Sequence, residues 1–165
     1  MSLYSNIALL ETQCFLADEA ATLTLASDFA PACLGGLILY LEGDLGAGKT
    51  TFTRGFLRGL GFLGKVKSPT YALLESYEIQ GVLLHHFDLY RFIDELEWED
   101  AGFRELLTPQ AITLIEWPEK ASGVLPSPDV RVSLIPESTG RRLVFSAHSA
   151  RGKQAVEQFL VRSAG

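Results

Sequence analysis

Residues 43–50 read Gly-Asp-Leu-Gly-Ala-Gly-Lys-Thr. Two glycines, a lysine and a threonine at these offsets match the Gly-x-x-x-x-Gly-Lys-Ser/Thr pattern of a phosphate-binding loop. Each position has a chemical reason. Gly43, Gly46 and Gly48 open backbone conformations closed to residues with a Cβ. The resulting turn aims successive N–H groups inward as a nest for a phosphate. Lys49 can reach the β- and γ-phosphate oxygens, and the Thr50 hydroxyl can ligate Mg²⁺. A helix that begins here adds its N-terminal dipole to the same anion site.

The flanking residues supply the elements this loop needs. Leu37 to Leu41 is an apolar run that reads as a buried strand. After the loop, Phe52, Phe56 and Leu60 recur at helical spacing. Strand, glycine-rich loop and helix in that order are the context the motif demands.

A phosphate loop also needs an acid for Mg²⁺ at the end of a neighbouring strand. Asp88 follows the apolar run 83–87, and Glu116 follows 111–115. Both can sit at a carboxyl edge, where open α/β sheets bind ligands. Either residue suits the metal, so the choice between them stays open. Thr70, in Ser68-Pro69-Thr70-Tyr71, is a candidate γ-phosphate sensor or a plain turn residue after proline. His86 precedes Asp88 by two and shares its strand face, as a supporting partner or a structural core histidine. Trp117 lines the pocket or fills core. Arg91 can bring a guanidinium near phosphate, although a surface ion pair is the commoner fate. No Asn-Lys-x-Asp or Thr-Lys-x-Asp stretch occurs, which favours adenine over guanine.

The chain has 165 residues, 47% hydrophobic and 21% charged, with net charge −6. That composition predicts one globular domain over residues 1–165. The acidic balance disfavours stand-alone nucleic-acid binding, and pairs such as Arg141 with Arg142 read as solvated surface. No apolar stretch suits a membrane helix, and the N-terminal residues lack the basic start of a signal peptide. Cys14 and Cys33 read as free thiols in a reducing cytoplasm.

The remaining elements follow from pattern. Ile7 to Leu10 reads as an edge strand. Asp18 and Glu19 open a helix with Ala20, Leu23, Ala26 and Ala30 on one face. Tyr71 to Ile79 and Val82 to Asp88 read as a hairpin turning at Gln80-Gly81. Asp94 caps a short acidic helix with Glu97 as its capping-box partner. Residues 130–135 and 142–147 alternate like paired strands. A final helix from Gly152 turns Ala155, Val156, Phe159 and Leu160 to the core. The predicted fold class is α/β: a P-loop NTPase-like domain, its mixed central sheet flanked by helices, with an antiparallel hairpin after the P-loop helix.

Four stretches, GDLGAGKTT at 43–51, VKSPTY at 66–71, HFDLYR at 86–91 and IEWPEK at 115–120, together resemble the TsaE family, formerly YjeE. The resemblance runs from about Phe15 to the last helix. It implies an ATPase that acts with TsaB and TsaD in making threonylcarbamoyladenosine at position 37 of tRNA. In that scheme the chain binds the TsaB–TsaD heterodimer, meets tRNA only through the complex, and hydrolyses ATP to reset it. By resemblance, Gly43, Leu45, Gly46, Ala47, Gly48, Lys49, Thr50 and Thr51 hold the nucleotide. Thr50 and Glu116 bind Mg²⁺, Asp88 supports hydrolysis, and Ser68 with Thr70 forms a switch. Trp117 serves nucleotide-dependent activity, and Asp18 and Gly140-Arg141 lie near the nucleotide. Residues 94–98, Asp-Glu-Leu-Glu-Trp, lack the proline expected after the first Asp. Two rival readings share the phosphate grip: a small-molecule kinase and a non-hydrolysing, nucleotide-gated binding module.

Overall fold

The computed structural model describes residues 7–164. Its centre is a seven-stranded sheet built from β1 (Leu10–Leu16), β2 (Leu37–Glu42), β3 (Leu74–Ile79), β4 (Val82–Asp88), β5 (Ile112–Glu116), β6 (Val130–Glu137) and β7 (Gly140–Ala147). The spatial order is β1-β7-β6-β2-β5-β4-β3. The four inner strands β6, β2, β5 and β4 are parallel. The β3–β4, β6–β7 and β1–β7 pairs are antiparallel. The predicted mixed sheet and the hairpin after the P-loop helix are both present.

The inner strands are apolar because helices and loops cover both of their faces. Every residue of β5 is buried. On one side α1 (Glu19–Phe29), α2 (Lys49–Gly59) and α4 (Ala150–Ala164) enclose Phe29, Phe52, Phe56, Phe145 and Phe159. On the other side α3 (Leu96–Asp100) and short turns pack Trp98 against Phe87, with ring centroids 5.0 Å apart.

Helices α1 and α2 approach closely because Gly55 and Gly59, one turn apart, lack side chains. A Cβ on Gly55 would lie 2.5 Å from the Leu23 carbonyl oxygen, and one on Gly59 2.8 Å from Ser27 Cα. Those obstacles are backbone, so only separation of the helices relieves them. Gly55→Val is expected to destabilise the fold by about 2–3 kcal/mol through overpacking. A lowered urea midpoint with unchanged m value is the check.

Several boundaries differ from the sequence expectation. The first strand is Leu10–Leu16, so of residues 7–10 only Leu10 belongs to it; Thr12 and Cys14 carry the inward side of the alternation. β3 starts at Leu74 because Leu73 takes φ 68° and its N–H bonds back to the Pro69 carbonyl. In α1 the buried stripe is Thr22, Ala26 and Phe29, while Ala20 is exposed. The last helix begins at Ala150, where the Ser149 hydroxyl accepts the Gly152 N–H at 2.9 Å. Leu160 stands at the surface instead of in the core. The predicted pairing of Asp94 with Glu97 is present in part: Glu97 accepts the Asp94 N–H at 3.0 Å, but Asp94 accepts the Leu96 N–H at 2.9 Å and the N-cap of α3 is Glu95.

Candidate nucleotide and metal site

Strand β2 ends at Glu42, and the chain turns through residues 43–48 into α2. Gly43, Gly46 and Gly48 all have positive φ, at 152°, 79° and 108°. Gly48 is the N-cap of α2, so the loop's N–H groups and the helix N-terminus converge. The Lys49 side chain folds back across the loop. Its ammonium donates to the Gly43 carbonyl, and to the Asp44 carbonyl at 3.4 Å. Lys49 is buried. Burial lowers its pKa, against the opposing pull of Glu116, Asp88, Glu119 and Asp44.

The two acids come from neighbouring parallel strands. Asp88 and Glu116 are register partners at the ends of β4 and β5. Parallel strands lie about 4.8 Å apart, so both carboxylates end beside Lys49. Burial raises the Asp88 pKa, and the Glu116 charge adds to it, while hydrogen bonds from the Tyr90 N–H and Thr70 lower it. Those bonds measure 3.0 Å and 3.2 Å. Ser68 lies 2.8 Å from Thr70, hydroxyl to hydroxyl, which ties the 68–70 segment to Asp88.

Trp117 takes φ 58° and ψ 49°, a costly backbone for a residue with a Cβ. This turn lays its ring over Lys49, with Nζ 3.9 Å from the ring centroid. Tyr90 packs against the same indole, with ring centroids 4.9 Å apart. The cleft so formed holds about 410 Å³ and is lined by Leu45, Gly46, Gly48, Lys49, Thr50, Thr51, Thr70, Asp88, Glu116 and Trp117 from the sequence reading.

Glu19, Tyr90 and Arg141 line it too. Arg141 corrects the reading of its basic pair as solvated surface. Its Nη1 donates to the Ala47 carbonyl at 2.8 Å, and a Cβ on Gly48 would run into its guanidinium. Arg142 turns away to pair with Glu137. Arg91, the sequence candidate for a guanidinium near phosphate, instead lies 4.7 Å from the Tyr71 ring.

Five nucleotide candidates do not line the cleft directly. Gly43 and Ala47 shape the loop through carbonyls bonded to Lys49 and Arg141. Ser68 supports Thr70. Asp18 caps α1, accepting the Ala21 N–H at 2.9 Å. Gly140 lets β7 start against the end of β1, where a Cβ would meet the Leu16 carbonyl. Sequence pattern alone missed Glu19 as lining; its position in the first turn of α1, facing the loop, becomes visible only in three dimensions.

The stability consequence at Asp88 has a definite sign. A carboxyl with its folded pKa raised binds its proton more tightly in the folded state. Ionising it therefore costs stability as pH rises through the carboxylate range, and the full cost is present at neutral pH. Asp88→Asn is expected to raise Tm at neutral pH, because it removes the charge that burial disfavours. The gain should vanish in acid, as thermal melts at the two pH values would show.

A glycine-rich turn between a strand and a helix, a lysine folded across it, and acids at the ends of two adjacent parallel strands define a P-loop NTPase-like fold. The family model for "Threonylcarbamoyl adenosine biosynthesis protein TsaE" matches residues 16–144, and the chain belongs to the TsaE family, which serves tRNA threonylcarbamoyladenosine biosynthesis. It is 42% identical to the TsaE protein of Haemophilus influenzae over 150 residues, 88% of this chain and 95% of that one. It is 41% identical to the Bacillus subtilis TsaE protein over 127 residues, 74% and 77% of the two chains. The crystal structure of Bacillus subtilis YdiB superposes with TM-score 0.81 and 28% identity, covering 93% of this chain and 97% of that one.

Proposed function

We propose that this chain is a Mg²⁺-dependent ATPase that binds a TsaB–TsaD complex and hydrolyses ATP to reset it between rounds of tRNA modification. The observation that carries the reading is the convergence of Lys49, Thr50, Asp88 and Glu116 in one cleft at the mouth of the P-loop. The donors suit Mg²⁺, which takes oxygen ligands and few of them from protein. Among the described residues no group of three or more His, Cys, Asp or Glu side chains is placed to hold a metal. What the cleft offers is a hydroxyl and two carboxylates, crowded enough that Glu116 helps to raise the Asp88 pKa. A cation beside them relieves that repulsion.

Thr50 and Glu116 would hold the ion, which when bound neutralises charge on the phosphate oxygens. Lys49 leaves the Gly43 carbonyl to meet the β- and γ-oxygens. The loop amides, already oriented, take the rest of the charge without reorganisation. Asp88, fixed by Thr70 and the Tyr90 N–H, orients the attacking water and accepts its proton. Arg141, the arginine that lines the cleft, is held by the Ala47 carbonyl at 2.8 Å and is not a finger in this scheme. Turnover of the chain alone is therefore slow and rises when partners complete the site. A role in tRNA modification suits a cytoplasmic protein, as we propose this one to be; no helix among the described residues is long and apolar enough to cross a membrane.

Trp117 supplies the test of binding. The second tryptophan, Trp98, is fully buried in the core, so a fluorescence change on adding nucleotide reports the indole over Lys49. ATP with Mg²⁺ should change the emission saturably, and GTP should do so only at higher concentration. No change with any nucleotide, confirmed by calorimetry, would remove the nucleotide reading. Phosphate appearing on an added metabolite would favour a kinase, and binding without hydrolysis under any condition a gated binding module.

A further inference from the structure

We infer that His86 is a positioning residue whose Nε2–H holds the Glu116 carboxylate in the orientation that receives the metal. The inference rests on the Mg²⁺·ATP reading above. His86 and Asp88 point to the same face of β4, and β4 pairs with β5 so that His86 faces Leu114 and Asp88 faces Glu116. From there His86 Nε2 reaches Glu116 Oε2 at 2.6 Å, with side chains 0% and 5% exposed. A carboxylate only accepts, so Nε2 carries the proton. The other ring nitrogen, Nδ1, is buried without a partner. Burying an imidazole with half its polar capacity unmet is costly. The neighbouring His85 points to the opposite face and bonds Ser76 at 2.8 Å, its own Nε2 likewise buried without a partner, so what sets His86 apart is its bond to Glu116. No other side chain hydrogen-bonds Glu116 among the described residues, and Glu116 lines the cleft. Outer partners of this kind set the direction of a metal-binding carboxylate, and losing one typically costs about 10–100-fold in metal affinity.

Two measurements test this on the full chain. Mg²⁺ is titrated into the protein with a non-hydrolysable ATP analogue, and analogue affinity is measured separately without metal. His86→Leu should weaken Mg²⁺ binding by about 10–100-fold while metal-free analogue affinity stays within about twofold. His86→Gln, which keeps a donor near Nε2, should recover most of the loss. A lowered Tm in His86→Leu with unchanged Mg²⁺ affinity would show a purely structural histidine and overturn the inference. So would a His86→Gln variant no better than His86→Leu. The second measurement needs no variant. Nitrogen-15 labelling of the three histidines in the wild-type chain should show a proton on His86 Nε2, and an unprotonated Nε2 overturns the inference even if His86→Leu does not fold. Failure of the nucleotide reading looks different: wild-type chain would bind neither analogue nor Mg²⁺·analogue.

Discussion

Lys49→Ala is expected to reduce ATP hydrolysis by about 10³-fold and to leave the fold intact. The first part follows from position. Lys49 is the cationic side chain that spans the loop, donating to the Gly43 and Asp44 carbonyls and lying 3.9 Å from the Trp117 ring centroid. Removing one well-placed donor to a transition-state oxygen costs about 10²–10³-fold, and here the donor also carries the charge that the γ-phosphate develops against. The second part follows from the contacts it gives up. The carbonyls of Gly43 and Asp44 lie at an open loop where water replaces the ammonium, and burial already works against its charge. Tm should therefore shift by only a few degrees. The indole of Trp117 loses its cation, so its emission should respond weakly to nucleotide. Phosphate release, melting and fluorescence on the same preparation separate these effects. Retained hydrolysis in Lys49→Ala would contradict the role given to the loop.

Glu116→Ala is expected to lower hydrolysis by about 10²–10⁴-fold by a different route, the loss of a metal ligand. Here nucleotide should still bind, because Lys49 and the loop amides remain, but binding should no longer tighten with Mg²⁺. The substitution also leaves His86 Nε2 buried without its acceptor, 0% exposed, which should cost about 1–3 kcal/mol. Glu116→Gln keeps an acceptor for that N–H and should recover the stability without the activity. Measuring both variants thus divides the carboxylate's charge from its structural bond. Equal Mg²⁺ dependence in Glu116→Gln and wild type would shift the metal to Asp88.

Much of this site is readable along the chain because P-loop chemistry is local. Gly43 to Thr50 are contiguous, and their glycines are required by positive φ within the same turn. Asp88 and Glu116 could be named because each ends an apolar run, but their standing side by side could not, since it depends on cross-strand register. The bond from His86 to Glu116 joins residues 30 apart in sequence, and no spacing announces it. Arg141 reads as surface from its pairing with Arg142, and only the family resemblance places it near the site; alternation along β7 sends the two guanidinia to different partners. Gly55 and Gly59 sit inside a helix pattern, where glycine signals weakness; their reason, the close backbone of α1, lies on another element. The late start of β3 and early start of α4 come from single local bonds, at Pro69 and Ser149, that strand and helix patterns do not encode.

The central claim is that ATP hydrolysis in this cleft serves the tRNA-modifying complex. The most direct measurement is phosphate release from Mg·ATP by the wild-type chain, alone and with TsaB, TsaD and tRNA, beside Glu116→Ala. Slow release that rises when the partners are added, and disappears in Glu116→Ala, is the expected result. Release that the partners leave unchanged, or that persists in Glu116→Ala, would contradict the claim.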